Sequence, residues 1–311
     1  MNKRVYGVLG ISSIMANWNA DFSGFPKSTS DGTVFGSDKA LKYPMKKMWE
    51  NEGEKVLYIK SMKITDPGKD GSCSLVPRSL RERYELLTDD HDLKDVKVVL
   101  KNLMDCIDVK NFGATFAETG SNISITGAVQ IGQGFNKYED TCAEEQQILS
   151  PFRDSKSKKN DEDAKNSTLG TKIVSNEAHY FYPFVINPLA YQELEGLGVT
   201  TGYTEEDYAN FKNAALVSAT SFATNAKVGC DNEFAIFVET KIDTYLPNLA
   251  EYVHFEKGDH KNVIILDFAD LFDQLEDGID KIDVYFDPHT TKLNGLTDQM
   301  SVYDIRTQKE V

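Results

Sequence analysis

The chain has 311 residues, 40% of them hydrophobic and 27% charged, which suffices for a sizeable core in one large domain or two ordinary ones. Its net charge of −15 argues on its face against a nucleic-acid partner, and no apolar run approaches the ~20 residues that span a bilayer. Four scattered cysteines (Cys73, Cys106, Cys142, Cys230) without a C-x-x-C pair exclude a zinc knuckle or a thioredoxin-type redox pair, and fit reduced thiols in a cytoplasm.

The N-terminus, "MNKRVYGVLGISSIMANWN", places Lys3 and Arg4 before an apolar run in the manner of a signal peptide. Asn17, Trp18 and Asn19 stand where a small-residue cleavage site belongs, and the alternation predicts a first strand of the mature fold from Arg4 to Ala16. A loop rich in Gly, Ser, Asn and Asp follows. "SDKALKYPMKKMWE" then reads as a helix, with Ser37 as N-cap and Asp38 favourable in the first turn. Pro44 removes a hydrogen bond, so the helix either kinks there or begins there. Lys39, Lys42 and Lys46 keep i, i+3, i+7 spacing and form one stripe if the helix continues through Pro44. With Lys47, Lys55, Lys60 and Lys63 they place seven lysines between positions 39 and 63. A local basic stripe, not the overall pI, makes the electrostatic footprint for phosphate.

"EKVLYIKSMKI" alternates as a second strand. Residues 65–95 are loop-like, with "VPRSLRERYELL" a possible short helix, and "VKVVLKNLMDCI" is amphipathic as helix or strand. Next comes "FGATFAETGSNISITGAVQIGQGF", residues 112–135, a hairpin turning at Glu118–Asn122 and interrupted by Gly113, Gly120, Gly127, Gly132 and Gly134. Glycine weakens a strand unless a bulge, a turn or a closely approaching backbone requires it. At period two, Ile123, Ile125, Val129 and Ile131 share a core face. Asn122, Ser124, Thr126, Ala128, Gln130, Gly132 and Gly134 share a bare outer face that another backbone could approach. Residues 141–178 hold a twenty-residue stretch almost without apolar side chains, which cannot bury a core. It is bracketed by strand-compatible segments and reads as a long projecting hairpin.

"HYFYPFVINP" is a strand. "TEEDYANFKNAALVSATSFATNA" is the clearest helix, opened by a Thr204–Asp207 capping box, with Tyr208, Phe211, Ala215, Ala219 and Phe222 on one face. Strands follow at "EFAIFVETK" and "KIDVYFDP", with a strand and short helix between them stopped at Gly278. From Asp231 onward 18 acidic residues face 7 basic ones, so the first 230 residues carry only −4 of the charge. Without the insertions at 64–111 and 136–178, the order is strand, helix, strand, strand, helix, strand. This is the α+β, ferredoxin-like plan of RNA-recognition domains.

Three segments, "NFGATFAETGSNISITGAVQIGQG", "ILSPF…STLGTKIVSNEAHYFYPFVINP" and "FGSDKALKYPMKKMW", together resemble the crRNA-binding backbone subunit of type I CRISPR Cascade complexes, the "Cas seven" family, in its type I-B branch. The resemblance covers nearly the whole chain. It implies an RNA-recognition-like palm (1–63, 112–140 and 179–311), a finger insertion (64–111) and a thumb β-hairpin (141–178). It further implies a non-catalytic subunit whose copies stack along a CRISPR guide RNA beside other Cascade subunits. Each copy would hold the RNA backbone and present bases for pairing with a target DNA strand. No membrane partner and no cofactor is expected. The residues placed against RNA are Asn17, Asn19, Ser37, Lys39, Lys42, Lys46, Lys47, Gln130, Gly132, Gly134, Arg153, Thr168, Leu169 and Lys172. What lies against the glycine-rich strand would then be the RNA backbone or a neighbouring copy's thumb.

Other readings compete with this one. Arg78, Arg81 and Arg83 fit surface ion pairs better than nucleic acid. His179, beside Glu177, has no partner at ligand spacing and reads as a hydrogen-bonded strand histidine. In related type III subunits a loop aspartate after the first strand cuts target RNA, so Asp21 or Asp31 could serve a metal-dependent endoribonuclease. No Walker A, Rossmann, H-E-x-x-H or G-x-S-x-G motif occurs.

Overall fold

The computed structural model describes residues 1–69, 71–89, 92–149 and 169–311, with the backbone alone at Leu149 and Leu169. The chain opens with β1 (Arg4–Ala16), a loop, β2 (Phe35–Gly36) and α1 (Asp38–Asn51). A short hairpin, β3 (Met62–Ile64) and β4 (Leu75–Pro77), precedes α2 (Leu80–Leu87), α3 (Val96–Met104) and α4 (Ile107–Phe112). Five strands come next: β5 (Gly113–Glu118), β6 (Ser121–Thr126), β7 (Val129–Ile131), β8 (Gly134–Asn136) and β9 (Ala143–Leu149). The long β10 (Leu169–Ile186) leads through α5 (Gln192–Gly196) to α6 (Glu205–Ser221) and β11 (Cys230–Thr240). The remainder is β12 (Val253–Glu256), β13 (Asn262–Leu266), α7 (Ala269–Gln274), β14 (Ile279–Phe286), β15 (Thr291–Asn294) and β16 (Met300–Asp304).

The main sheet runs β16-β14-β11-β1-β10-β8-β2, and β7 and β9 also pair with β10. All its pairs are antiparallel except β14–β16. β1 lies at the centre because it is apolar on both faces, the mark of a strand covered on two sides. Its residues divide by period two: Val5 and Leu9 join one core with Leu41, Met45 and Trp49 of α1 and Phe211 and Ala215 of α6. Tyr6 and Val8 join a second core with Val253, Ile264 and Leu266 of the small β12-β13-β15 sheet and Phe272 of α7. The sheet face opposite α1 and α6 is therefore covered by the chain's own C-terminal part.

Several expectations meet a definite outcome. α1 continues through Pro44, which lies buried inside it, and Ser37 caps it by accepting the Ala40 N–H. Thr204 and Asp207 form the capping box of α6, while Phe222 becomes its half-buried C-cap. Residues 96–107 resolve as the helix Val96–Met104, a break at Asp105 and Cys106, and the start of a second helix at Ile107. The second strand is shorter than its alternation suggests: only Met62–Ile64 is extended in a ladder. Val56, Leu57 and Ile59 are all buried, and the buried Asp108 carboxylate takes the N–H groups of Leu57 and Tyr58, both at 2.8 Å. A side chain there satisfies the amides that a neighbouring strand would otherwise pair.

The glycine-rich stretch is divided rather than continuous. β5 and β6 form their own hairpin, and β7 and β8 add separately to β10. Ala128 is fully buried and Gly134 is buried, so neither lies on a bare outer face. A Cβ on Gly127 would fall 2.2 Å from the Phe112 carbonyl carbon, and one on Gly134 would fall 2.4 Å from the Tyr182 ring. The glycines admit the chain's own backbone and a core tyrosine.

Candidate nucleic-acid interface

The turn of α1 that carries Lys39, Lys42 and Lys46 faces an open groove of about 530 Å³. Tyr58 and residues 112–115, from the end of α4 and the start of β5, form its other wall. Lys42 Nζ lies 5.1 Å from the centre of the Phe112 ring and 2.9 Å from Asp38 Oδ2. Lys46 Nζ sits 5.6 Å from the Tyr58 ring and 5.9 Å from Phe112. It bonds the Tyr58 carbonyl at 3.3 Å and the buried Asp108 carboxylate at 3.4 Å. Lys39 is exposed, and among the described residues no ion pair engages it. Tyr43, 40% exposed, completes the rim and packs edge-on against Phe222.

The three lysines differ electrostatically. Burial pulls the Lys46 ammonium below its ordinary pKa, and the attraction of Asp108 only partly restores it. Burial, reinforced by Asp108, pushes the Tyr58 phenol up to about 12, so it stays neutral and donates to the Thr115 carbonyl at 2.7 Å. Lys46 thus ties α1 to the groove wall, Lys42 is paired with Asp38, and Lys39 is the exposed charge of the stripe. Lys47 points elsewhere and pairs with Glu50 at 2.7 Å.

The other anticipated residues divide into separate groups. Ser37 is the helix cap, and its own N–H donates to Asn19 Oδ1 at 2.8 Å, so Asn19 fixes the start of the basic helix. Asn17 is buried and donates to the Gly24 and Ile173 carbonyls, tying the first loop to β10. Gln130 and Gly132 line a different groove, with Tyr6, Pro183, Leu246 and Leu249. Gly134 is a core position against Tyr182. Lys172 lies half-buried on the β9–β10 ribbon opposite Gln146. Leu169 pairs with Leu149 through the backbone, and Arg153 and Thr168 lie outside the described residues.

Asp21 and Asp31 are engaged as turn caps. Asp21 Oδ1 accepts the N–H groups of Ser23 (2.8 Å) and Phe25 (3.0 Å). Asp31 accepts the Thr29 hydroxyl and the Thr33 N–H, and these bonds hold its carboxyl below the usual range. Among the described residues no three His, Cys, Asp or Glu side chains converge as a metal site. Arg81 pairs on the surface with Glu85 at 2.8 Å, as expected, whereas Arg83 is buried, pairing with Glu50 at 2.8 Å and donating to the Val56 carbonyl. His179 is buried and bonded through both ring nitrogens. Sequence reasoning missed Asp108, Tyr58 and Phe112. Only Phe112 carried a signal, as the aromatic that opens the glycine-rich stretch.

The family model for CRISPR-associated protein Cas7 matches residues 3–272, and the chain belongs to that family. No curated relative matches it. A chain of a "CRISPR RNA-guided surveillance complex, pre-nicking" has a similar fold, with TM-score 0.57 and 15% identity over 97% of this chain and 96% of that one. A chain of a "CRISPR RNA-guided surveillance complex" gives TM-score 0.48 and 15% identity over 97% and 93%.

Proposed function

We propose that this member of the Cas7 family is a non-catalytic, RNA-binding backbone subunit of a type I-B Cascade surveillance complex in the cytoplasm. Copies line up along one CRISPR guide RNA beside other Cascade subunits. Each grips the RNA backbone and leaves the bases free to pair with a target DNA strand. The observation that carries this reading is the α1 stripe. Pro44 does not interrupt it, so Lys39 and Lys42 reach one groove together. Phosphate contact by such a stripe is insensitive to sequence, as holding any guide requires. The closed outer sheet face agrees, because stacking bases on that sheet is unavailable to this chain.

The antiparallel run β11-β1-β10-β7, with α1 and α6 against one face, supports a ferredoxin-like palm built from 1–63, 112–140 and 179–311. The β3–β4 hairpin with α2 and α3 supports a finger region at 64–111, and the β9–β10 ribbon supports a thumb at 141–178. The test is to purify the protein from its own operon context and sequence the RNA that accompanies it. Repeat-flanked guides in large assemblies are expected, lost together in a Lys39→Glu/Lys42→Glu variant. RNA complementary to the guide should remain uncut with divalent metal. A clean monomer without RNA would sink the proposal. Regularly spaced cuts abolished by Asp21→Ala or Asp31→Ala would replace it with the endoribonuclease reading.

A further inference from the structure

His179 is 1% exposed, yet both of its ring nitrogens meet carboxylates: Nδ1 lies 2.7 Å from Glu233 Oε2 and Nε2 lies 2.9 Å from Glu177 Oε1. The ammonium of Lys257 closes on both oxygens of Glu177, at 2.6 and 2.8 Å. The imidazole stacks on the Phe255 ring with centroids 3.9 Å apart, and Tyr138 meets it edge-on. Nearby Lys137 is turned away, donating to the Ala250 and Val253 carbonyls. The charged groups thus form one file of alternating sign: Lys257, Glu177, His179, Glu233.

The file joins parts of the chain that nothing local would connect. Glu177 and His179 are on β10 where the β9–β10 ribbon leaves the main sheet, and the Glu177 carbonyl accepts the Thr141 hydroxyl on the ribbon's other arm. Glu233 is on β11. Phe255 and Lys257 belong to β12 and the residue after its end, on the small C-terminal sheet.

We propose that these four residues form a proton-dependent clasp between the root of the β9–β10 hairpin and the small sheet, closed while His179 is protonated and opened by loss of that proton. A neutral imidazole has one N–H and can donate to only one carboxylate. Glu233 is the more buried and has no other cation within reach among the described residues, so the remaining proton stays on Nδ1. The Nε2 lone pair then faces Glu177 Oε1, and this repulsion drives apart Glu177 with Lys257 and the stacked strand β12. Burial opposes the charged imidazolium, but the two carboxylates outweigh it and the His179 pKa is raised. Because the folded value is the higher one, the stabilisation is complete below the ordinary imidazole pKa of about 6.5 and fades as pH rises through the folded value. The clasp is independent of RNA and of the proposed role on a guide.

The experiment is a titration of the histidine ring resonances of the full chain by NMR, His179 being assigned by its loss in His179→Gln. Melting of wild type and Glu177→Gln is followed beside it between pH 6 and 9.5. We expect His179 to titrate above the ordinary range, and the melting gap between the two proteins to shrink towards zero as the ring deprotonates. A midpoint at or below 6.5, or a gap that does not change with pH, overturns the clasp. Should either variant fail to fold, the His179 ring is assigned in wild type through its contact with the stacked Phe255 ring, and its midpoint decides alone.

Discussion

Replacing Asp108 by Asn tests whether the wall of the basic groove is held from beneath. The carboxylate is fully buried and accepts two backbone N–H groups at 2.8 Å while facing Lys46 Nζ at 3.4 Å. An amide of the same shape keeps one acceptor, turns its NH₂ against the other N–H and leaves the Lys46 ammonium without its counter-charge. Hydrogen bonds to charged groups are worth about 1.5–3 kcal/mol each, and removing one partner of a buried pair costs about 3–5 kcal/mol. The expected loss is therefore about 4 kcal/mol, or roughly 8 °C in Tm at about 2 °C per kcal/mol for a chain of this size. Lys46→Met removes only the ammonium and leaves both backbone bonds to the carboxylate, so it should cost less, about 2 kcal/mol for one charge-assisted contact. In Asp108→Asn/Lys46→Met the uncompensated charge is gone, so the double variant should be more stable than the sum of the singles requires. Calorimetry on the four proteins measures this coupling. If Asp108→Asn melts within about 1 °C of wild type, or Lys46→Met costs more than Asp108→Asn, the assignment of Lys46 and Asp108 as a positioning pair is refuted.

Lys39→Ala should leave Tm unchanged, Lys42→Ala should lower it slightly through loss of its Asp38 pair and Phe112 contact, and each should lower the slope of log K against log salt for single-stranded RNA by about 0.7, as one lost phosphate contact requires; an unchanged slope would remove that lysine from the contact set. Gly134→Ala should be destabilised by about 1–3 kcal/mol, since its Cβ would enter the Tyr182 ring at 2.4 Å. If that variant instead melts like wild type and loses RNA affinity, the glycine serves an approaching nucleic acid after all.

What the sequence disclosed was the part governed by local rules. The Ser37 cap, the Thr204–Asp207 capping box, the first strand and the lysine spacing on α1 all follow from interactions within a few residues. The failures are positions where distant groups decide. Residues 55–61 alternate like a strand, but a carboxylate some fifty positions away takes two of their amides, and no periodicity encodes that. Residues 112–135 alternate too, yet the chain bends where Gly127 presses on Phe112 and where Gly134 makes room for Tyr182. Glu233 sits in a strand whose sequence gives no hint that it completes the coordination of His179.

The uneven charge acquires a spatial meaning once the second core is known. The acidic residues beyond Asp231 belong largely to the part of the chain that covers one face of the main sheet, and the α1 lysines belong to a helix packed on the other. A polyanion approaching the molecule meets repulsion on the covered face and a field of the right sign on the α1 face, so orientation is biased before any contact forms. Net charge alone would have rejected a nucleic-acid partner. With the acidic residues concentrated beyond Asp231, the same −15 is compatible with the proposed phosphate contact in the groove beside α1. Raising the ionic strength should therefore weaken both the attraction at α1 and the repulsion on the far face. Charge reversal confined to α7, such as Asp270→Lys with Asp273→Lys, should speed non-productive RNA association without adding to the affinity of the proposed Lys39–Lys42 contact.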